Sequence, residues 1–371
     1  MDLYPKPWLK RLAPVMLSSV FVPHYSAAAP IPTLATLTKP LKIDTRAITV
    51  SGLSSGAFMA LQLHVIFSKT IKGAGLVAGG PYRCAEGVYQ GSALDFSGLY
   101  TPTTVCTNTH PLYPFAGPPE LDYSLRETQL MAAKGLIDAP EHLAQAKVWL
   151  FSGAKDQTVP ASVMEVTAQY YQHFINDQNI EHLRHPHAEH AMITDTVGHA
   201  CDISKSPYIS QCGFDAAGEL LAFLLGDLKP KVMADPESLY TFSQLAYFNN
   251  RDPSTSLHPQ AHIYIPQACL AGEPCRLHIA LHGCQQSEDF NHRAFFEQAG
   301  YNEWAEANNI VVLYPQTRAW KSTLWMGAMS NPKGCWDWWG YSGGDYATKH
   351  GKQVRAIASM VNSMARSKVL Q

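Results

Sequence analysis

The pentapeptide at residues 52–56, Gly-Leu-Ser-Ser-Gly, places Ser54 between two glycines at the spacing G-x-S-x-G. Residues 46–50 before it are apolar and β-branched enough for a buried strand, and residues 57–64 after it carry the wide apolar face of a helix. A sharp turn between a strand and a helix lifts the central hydroxyl above the sheet edge, beside the free N–H groups of the helix. This context predicts that Ser54 is a nucleophile; the alternative is a chance match in a loop rich in serine and glycine.

A serine hydroxyl is a weak nucleophile, so it needs a base within hydrogen-bond reach and an acid that orients the base. In hydrolases with this turn, the acid and the histidine follow the serine in that order. We therefore predict that Asp156, which comes just after the apolar strand candidate 147–153, is the acid. Asp156 could instead cap the helix that begins after Pro160, and Asp195 and Asp202 are rival acids.

The expected base is His190, because its segment follows the last strand of the first half of the chain and precedes a predicted helix at 216–225. The same stretch also contains four other histidines, His182, His185, His187 and His199. Such a cluster could bind a metal or could simply lie at the surface. Pro186 interrupts any regular ligand spacing and the sequence has no H-E-x-x-H motif, so we predict neither a metal site nor a cofactor.

Acyl transfer also requires N–H donors for the oxyanion of the tetrahedral intermediate. One donor is the backbone N–H of the residue after the nucleophile, here Ser55, and the other normally comes from a loop upstream of the nucleophile. No suitable loop precedes Ser54, but residues 278–285 downstream have the pattern of a strand that ends in His-Gly-Cys. We expect the N–H of Cys284 to be the second donor; the alternative is an ordinary glycine turn at the end of a strand.

Strands and helices alternate along the chain, which predicts an α/β fold with a mostly parallel sheet and helices on both faces. The displaced oxyanion loop further predicts a circularly permuted α/β-hydrolase, with one catalytic domain at 29–371 and a long connection at about 229–256. Residues 84–140 are irregular, and we expect them to cover the sheet edge. The remaining strand candidates are 73–80, 181–184, 261–266, 276–281 and 309–314, and the remaining helix candidates are 125–134, 161–176 and 347–364.

The chain has 371 residues, a formal net charge of −2 and no long run of like charges, which argues against a nucleic-acid partner. Only 16% of the residues are charged, as expected for an uncharged or apolar substrate or for a low-charge exported protein. The eight cysteines include no C-x-x-C pair, so a zinc ribbon or a thioredoxin-type site is not expected. Cys269 with Cys275 and Cys201 with Cys212 are close enough to close single loops, although eight cysteines allow about 105 pairings.

The N-terminal residues 1–28 predict a signal peptide. Basic residues precede an apolar run at 12–22, and small residues follow at 26–29. The apolar run is too short to cross a bilayer, which takes about 20 residues. We therefore expect a secreted or periplasmic protein without stable membrane insertion.

Five short motifs carry a family resemblance when they are taken together. They are Ser-Gly-Leu-Ser-Ser-Gly at 51–56, Gly-Gly-Pro-Tyr-Arg-Cys at 79–84, Ile-Pro-Gln-Ala-Cys at 265–269, Leu-His-Gly-Cys-Gln-Gln at 281–286 and Cys-Trp-Asp-Trp-Trp-Gly-Tyr at 335–341. With these motifs the chain resembles the circularly permuted, single-domain poly(3-hydroxybutyrate) depolymerases. The resemblance implies that Ser54 is the nucleophile, Asp156 the acid and His190 the base, and that Ser55 and Cys284 supply the oxyanion donors.

The resemblance also implies a substrate cleft lined by Trp336, Trp338 and Trp339, and a disulfide between Cys284 and Cys335; the alternative for the tryptophans is core packing. The expected function is that of a monomeric serine esterase that cleaves poly(3-hydroxybutyrate) or its oligomers. Feruloyl or acetyl-xylan esterases, which share a related fold, are the alternative. A non-catalytic binding protein is disfavoured because all three triad residue types occur in order.

Overall fold

The computed structural model describes residues 1–3, 31–39, 41–87, 98–321 and 330–371. The predicted signal peptide, residues 1–28, lies outside the described residues apart from its first three. The chain divides into two compact units, Met1–Pro30 and Ile31–Gln371, and the second contains every element described below. Across the described parts of the chain, no helix combines the length and the apolar character that crossing a bilayer requires.

The second unit is built on one large, mostly parallel sheet. Its strands, and those of a smaller sheet, are β1 (Lys42–Leu53), β2 (Ile71–Val77), β3 (Lys147–Gly153), β4 (Ile180–His185), β5 (Met192–Thr194), β6 (His199–Ala200), β7 (Ile209–Gln211), β8 (Leu239–Ser243), β9 (Gln260–Tyr264), β10 (Pro274–Leu281) and β11 (Ile310–Tyr314). The large sheet has the order β4-β3-β2-β1-β10-β11-β9-β8, and within it only β9 runs against the others. Strands β5, β7 and β6 form the small sheet in that order.

Helices cover both faces of the large sheet, as predicted. The described α-helices are α1 (Leu34–Leu37), α2 (Ser55–Ile66), α3 (Tyr100–Thr104), α4 (Leu121–Ala133), α5 (Ala161–Gln172), α6 (Ala216–Leu225), α7 (Gln267–Leu270), α8 (Glu288–Asn291), α9 (Ala294–Gln298), α10 (Tyr301–Asn308) and α11 (Lys352–Ala365). Alternate residues of a strand point to opposite faces, so Val311 and Val312 of β11 belong to two different buried clusters. Helix α11 packs into the cluster of Val311, and α6 packs into the cluster of Val312.

Strand β1, which leads to Ser54, lies in the middle of the sheet. Strand β2 flanks it on one side and β10 on the other, and the parallel register of β10 aligns Leu281 with Gly52. The four strands from residue 239 onward therefore lie on one side of β1, and β2, β3 and β4 lie on the other side. The carboxyl ends of β1, β3 and β10 meet at one edge, where the loops of a parallel sheet gather ligands.

The structure adds elements that were not predicted, including the small sheet of β5 to β7 and helices α8 to α10, and it changes two predicted segments. The connection expected at about 229–256 contains strand β8, which pairs only with β9 at the sheet edge and buries fully only Phe242 among its five residues. Such an edge strand lacks the apolar pattern by which buried strands are recognised. The helix expected at 347–364 begins later, at Lys352, because residues 341–350 form turns. A Cβ on Gly351 would lie 2.3 Å from the carbonyl oxygen of Tyr346, so these turns pack closely on the start of the helix.

All eight cysteines are paired. The four disulfides are Cys84–Cys106, Cys201–Cys212, Cys269–Cys275 and Cys284–Cys335. The two loop-closing pairs and the long-range pair implied by the resemblance are confirmed. The long-range bond joins the turn after β10 to the tryptophan-rich segment at 335–341.

Candidate active site

Ser54 occupies a strained turn between β1 and α2. Its backbone has φ 56° and ψ −123°, which a non-glycine residue adopts only when its surroundings impose it. The flanking glycines are sterically required: a Cβ on Gly52 would lie 2.3 Å from the backbone of Gly56, and a Cβ on Gly56 would lie 2.2 Å from the carbonyl oxygen of Leu281. The turn therefore presses the start of α2 against the end of β10.

Asp156 and His190 form a buried hydrogen-bonded pair at the same edge of the sheet. Asp156 follows β3, His190 lies between β4 and β5, and Asp156 Oδ2 is 2.8 Å from His190 Nδ1. The other carboxylate oxygen, Oδ1, accepts the backbone N–H groups of Thr158 and Val159 at 2.8 Å each, which fixes the carboxylate. An ionised carboxylate can only accept, so it keeps the imidazole proton on Nδ1 and leaves Nε2 as an acceptor.

Ser54 and His190 line one cleft, which has a volume of about 680 Å³. Each is largely buried, with exposed fractions of 9% for Ser54 and 7% for His190. Among the described residues, no hydrogen bond joins the Ser54 hydroxyl to the His190 ring in this conformation. Catalytic hydrogen bonds of this kind are often long or misaligned before substrate binds.

The alternative candidates for the acid and the base contact other residues. Asp195 binds Lys231 at 2.7 Å, and Asp202 lies 3.8 Å from Lys155. His199 Nε2 is 2.8 Å from the carbonyl oxygen of Ser206. Within the described ranges, one cluster has the spacing of a metal site, His185 with Cys201 and Cys212, but its two sulfurs are bonded to each other and are not available as thiolate ligands.

The two predicted oxyanion donors face the cleft beside Ser54. Ser55 is the first residue of α2 and Cys284 lies in the turn after β10, and both line the cleft. Neither backbone N–H has an acceptor within the part of the chain that the structure describes. Gly283 packs closely against the serine turn, since a Cβ there would lie 3.4 Å from that of Ser54 and 3.3 Å from the carbonyl oxygen of Leu53.

A residue that sequence reasoning missed holds this turn in place. Gln286 is 1% exposed, and its Oε1 accepts the N–H of Gly283 at 2.8 Å. Its Nε2 donates to the carbonyl oxygens of Pro207 and Tyr208 at 3.0 Å each. The predicted oxyanion turn is thereby tied to the loop between β6 and β7. The available signal was the second of two consecutive glutamines, directly after the predicted oxyanion turn in the motif 281–286.

The tryptophan-rich segment contributes two of its three indoles to the cleft. Trp338 and Trp339 line it, and Trp338 stacks on Phe58 with ring centroids 4.1 Å apart. Trp336 departs from the prediction because its side chain is fully buried and is not among the residues that line the cleft. Its ring packs 5.4 Å from that of His282, so Trp336 is a core residue.

Asp337 shapes this segment from within the core. Its carboxylate accepts the backbone N–H groups of Gly340 at 2.7 Å, Tyr341 at 3.1 Å and Ser342 at 2.9 Å. Burial raises the pKa of this carboxyl, and these donors act in the opposite direction. The resulting loop fixes the orientation of the neighbouring indoles.

Three of the fully buried histidines, His64, His278 and His282, have strongly lowered pKa values. His278 of β10 lies 2.8 Å from Thr49 Oγ1 and 2.7 Å from Ser51 Oγ, so it links β10 to β1. Burial lowers the pKa of His278 and of His64 in α2 to about 3, and that of His282 to about 4. All three are therefore neutral in the folded protein at mildly acidic pH.

The burial of these neutral histidines predicts how the stability of the protein depends on pH. In the unfolded chain histidines titrate near 6.5, so unfolding takes up protons below that pH. The free energy of unfolding is expected to fall as the pH decreases from about 6.5 towards 4, by about 1.4 kcal/mol per pH unit for each buried histidine. Urea unfolding between pH 4.5 and 7.5 measures this slope. In a His278→Gln variant, the slope of the unfolding free energy against pH should be smaller by the contribution of one histidine. An unchanged slope would contradict the prediction that His278 is neutral in the folded protein.

The fold is that of an α/β-hydrolase, with the serine turn after a central strand and an acid and histidine after the following strands. No family model matches the chain. A poly(3-hydroxybutyrate) depolymerase from Delftia acidovorans is 41% identical over 332 residues, which are 88% of this chain and 61% of that protein. The chain thus spans about three fifths of the length of that relative. A polyhydroxybutyrate depolymerase from Talaromyces funiculosus is 32% identical over 94% of this chain and 98% of that protein.

Solved structures agree with these relatives. The crystal structure of PHB depolymerase from Penicillium funiculosum matches with a TM-score of 0.77 and 30% identity, over 92% of this chain and all of that one. A serine-to-alanine variant of a PHB depolymerase complexed with an R3HB trimer matches with a TM-score of 0.78, also at 30% identity. The chain belongs to the poly(3-hydroxybutyrate) depolymerase family.

Proposed function

We propose that the chain is a serine esterase that hydrolyses the ester bonds of poly(3-hydroxybutyrate) or its oligomers. The observation that carries the proposal is the Asp156–His190 pair, whose histidine lines the same cleft as Ser54. The aromatic wall of Trp338 and Trp339 suits an uncharged polyester. The R3HB trimer bound by a related depolymerase supports the same substrate class.

In the proposed mechanism, the Ser54 hydroxyl attacks the ester carbonyl carbon while His190 Nε2 takes its proton. Asp156 stabilises the imidazolium, and the N–H groups of Ser55 and Cys284 donate to the oxyanion. The intermediate collapses to an acyl-enzyme on Ser54, and His190 protonates the departing alcohol. Water then attacks the acyl carbonyl carbon with His190 as the base, which releases the acid and regenerates the serine.

A substrate panel tests the proposal. Wild-type protein and a Ser54→Ala variant are incubated with a poly(3-hydroxybutyrate) suspension, soluble (R)-3-hydroxybutyrate oligomers, feruloyl esters and acetylated xylan. We expect clearing of the suspension and release of 3-hydroxybutyrate acids by the wild type alone. Hydrolysis of the feruloyl or acetyl esters without any action on the polyester would favour the carbohydrate-esterase alternative.

The tryptophans offer a paired prediction. Trp339→Ala is expected to raise KM for the oligomers roughly fivefold, because an aromatic contact contributes ~1 kcal/mol. Trp336→Ala is expected instead to lower the free energy of unfolding by about 3–5 kcal/mol, because it removes a fully buried indole. Initial-rate kinetics and urea unfolding measure the two effects. The reverse pattern, with KM altered only in Trp336→Ala, would contradict these placements.

We also infer that the chain is a circular permutation of the usual hydrolase order. The support is the position of β10, which ends in the proposed oxyanion turn beside β1 although it comes more than 200 residues later in the sequence. In the usual order the strand that supplies this turn precedes the nucleophile. A variant in which residue 371 is joined to residue 29 and the chain is opened ahead of β8, within the 229–256 connection, is therefore expected to be an active enzyme.

Export and a monomeric state complete the proposal. The signal-peptide pattern at 1–28 and the four disulfides suit an oxidising compartment, and all proposed site residues come from one chain. We expect a mature protein, residues 29–371, that acts as one catalytic domain. Intact mass of the exported protein and its light-scattering mass test these points, and a retained N-terminus or a dimer mass would contradict them.

A further inference from the structure

The described walls of the cleft carry one permanently charged side chain, Lys333. The other lining residues are apolar or neutral, apart from the titratable His190. Lys333 is exposed, and it belongs to none of the ion pairs formed among the described residues. The cleft therefore combines a largely neutral surface with a single cation.

The backbone of Lys333 is fixed beside the oxyanion turn. Its carbonyl oxygen accepts the N–H of Gln285 at 2.7 Å, next to Cys284 in the chain. Two residues further on, Cys335 is bonded to Cys284. Pro332 restricts the backbone on the other side. The ammonium group of Lys333 thus lies at the end of a flexible side chain, and the backbone of this residue is fixed close to the proposed reaction centre.

The substrate class of the proposed function, on which this inference rests, carries one charge per linear chain, the terminal carboxylate. In every ester bond of such a chain, the hydroxyl end lies on the acyl side and the carboxyl end lies on the alcohol side. A group that binds the terminal carboxylate therefore binds the departing alcohol fragment. At the last ester bond, only the ester oxygen and a short carbon link separate this carboxylate from the scissile carbonyl.

We propose that Lys333 binds the free carboxylate end of an oligoester and directs cleavage to the last ester bond. Its ammonium pairs with the carboxylate while Ser54 attacks the neighbouring carbonyl carbon. Each such turnover releases the carboxyl-terminal unit as a free hydroxy acid. The shortened chain remains as the acyl-enzyme until water releases it with a new terminal carboxylate. Lys333 is thus a specificity-determining residue for chain ends.

Paired substrates test this role in the full-length protein. The (R)-3-hydroxybutyrate trimer is supplied as the free acid and as its methyl ester, and the kcat/KM ratio of acid to ester is measured. In Lys333→Gln this ratio is expected to fall roughly tenfold through a higher KM for the acid, as expected for one charge-assisted contact in a partly desolvated cleft. Lys333→Glu should lower it further and Lys333→Arg should preserve most of it. Added salt should lower the wild-type ratio because it screens the pair.

A matched control removes a nearby positive charge outside the cleft. Lys205 is exposed and follows the lining residue Ser204, but it does not line the cleft itself. Lys205→Gln is expected to keep the acid-to-ester ratio within about twofold of wild type, since exposed charges interact weakly over distance. An equal fall in both variants would show a general field effect and would overturn the role of Lys333.

Isotope labelling identifies the bond that is cut. At low conversion, a trimer with a ¹³C label in its carboxyl-terminal unit should release mainly labelled monomer with the wild type, and labelled and unlabelled monomer in similar amounts with Lys333→Gln. Equal release by the wild type, or an unchanged acid-to-ester ratio in Lys333→Gln, would overturn the inference. Failure of the wild type to cleave either the trimer or its methyl ester would refute the proposed function instead.

Discussion

Replacing Ser54 by alanine is expected to reduce kcat on a 3-hydroxybutyrate oligomer by roughly a million-fold, to a remnant supplied by the oxyanion donors and substrate binding. Alanine retains the Cβ, so the strained turn at φ 56° and its packing against β10 should persist. The melting temperature should therefore stay close to that of the wild type. Steady-state kinetics and thermal unfolding measure the two quantities.

The neighbouring serine provides a matched comparison. Ser55 carries a hydroxyl that accepts the N–H of Trp336 at 3.2 Å, and its own backbone N–H survives substitution. Ser55→Ala is expected to lower kcat no more than about tenfold, since it removes one hydrogen bond. A near-wild-type Ser54→Ala, or a larger loss in Ser55→Ala, would overturn the choice of nucleophile.

Replacing Asp156 by asparagine is expected to lower kcat on the order of ten-thousand-fold. Both carboxylate oxygens now accept: Oδ1 from Thr158 and Val159, and Oδ2 from His190 Nδ1. Asparagine will keep its carbonyl oxygen on the two backbone donors, which places its NH₂ group against the ring. The imidazole must then accept at Nδ1 and carry its proton on Nε2, where it cannot take the proton of Ser54.

Two rival carboxylates serve as controls for Asp156. Asp202→Asn and Asp195→Asn remove acids that contact exposed lysines, so both are expected to keep kcat within about twofold of wild type. Urea unfolding should show that Asp156→Asn remains folded, because asparagine can satisfy the same backbone donors. A loss of activity in Asp202→Asn that matches the loss in Asp156→Asn would refute the assignment of the acid.

Local sequence patterns were enough to predict much of the fold and the turn at residues 52–56. Strand β3 and helix α6 begin and end at the predicted residues, because an apolar run and a helical periodicity are properties of adjacent residues. The glycines at 52 and 56 could be predicted from the same stretch, since the turn that needs them is formed within five residues. The order of acid and histidine after the serine predicts Asp156 and His190, and the structure places these two side chains 2.8 Å apart.

Other features depend on distant partners and leave no local signal. Trp336 and Trp338 lie two residues apart in one motif, yet one is core and the other faces the cleft, because the bonds of Asp337 to three later residues decide how the segment folds. Gln286 joins two loops that are about 80 residues apart in sequence. Strand β8 forms because its backbone pairs with the free edge of β9, and no local apolar pattern signals this pairing.

The position of β1 between β2 and β10 sets an order for synthesis on the ribosome. Strands β1 to β4, with Ser54, Asp156 and His190, emerge first, while β10 begins only at Pro274. Until then one edge of the central strand has no partner and offers its N–H and C=O groups to other chains. The nascent half-protein thus carries the proposed nucleophile, acid and base but lacks the Cys284 donor. We expect this half-protein to require shielding of that strand edge and to have little activity until Cys284 has been added.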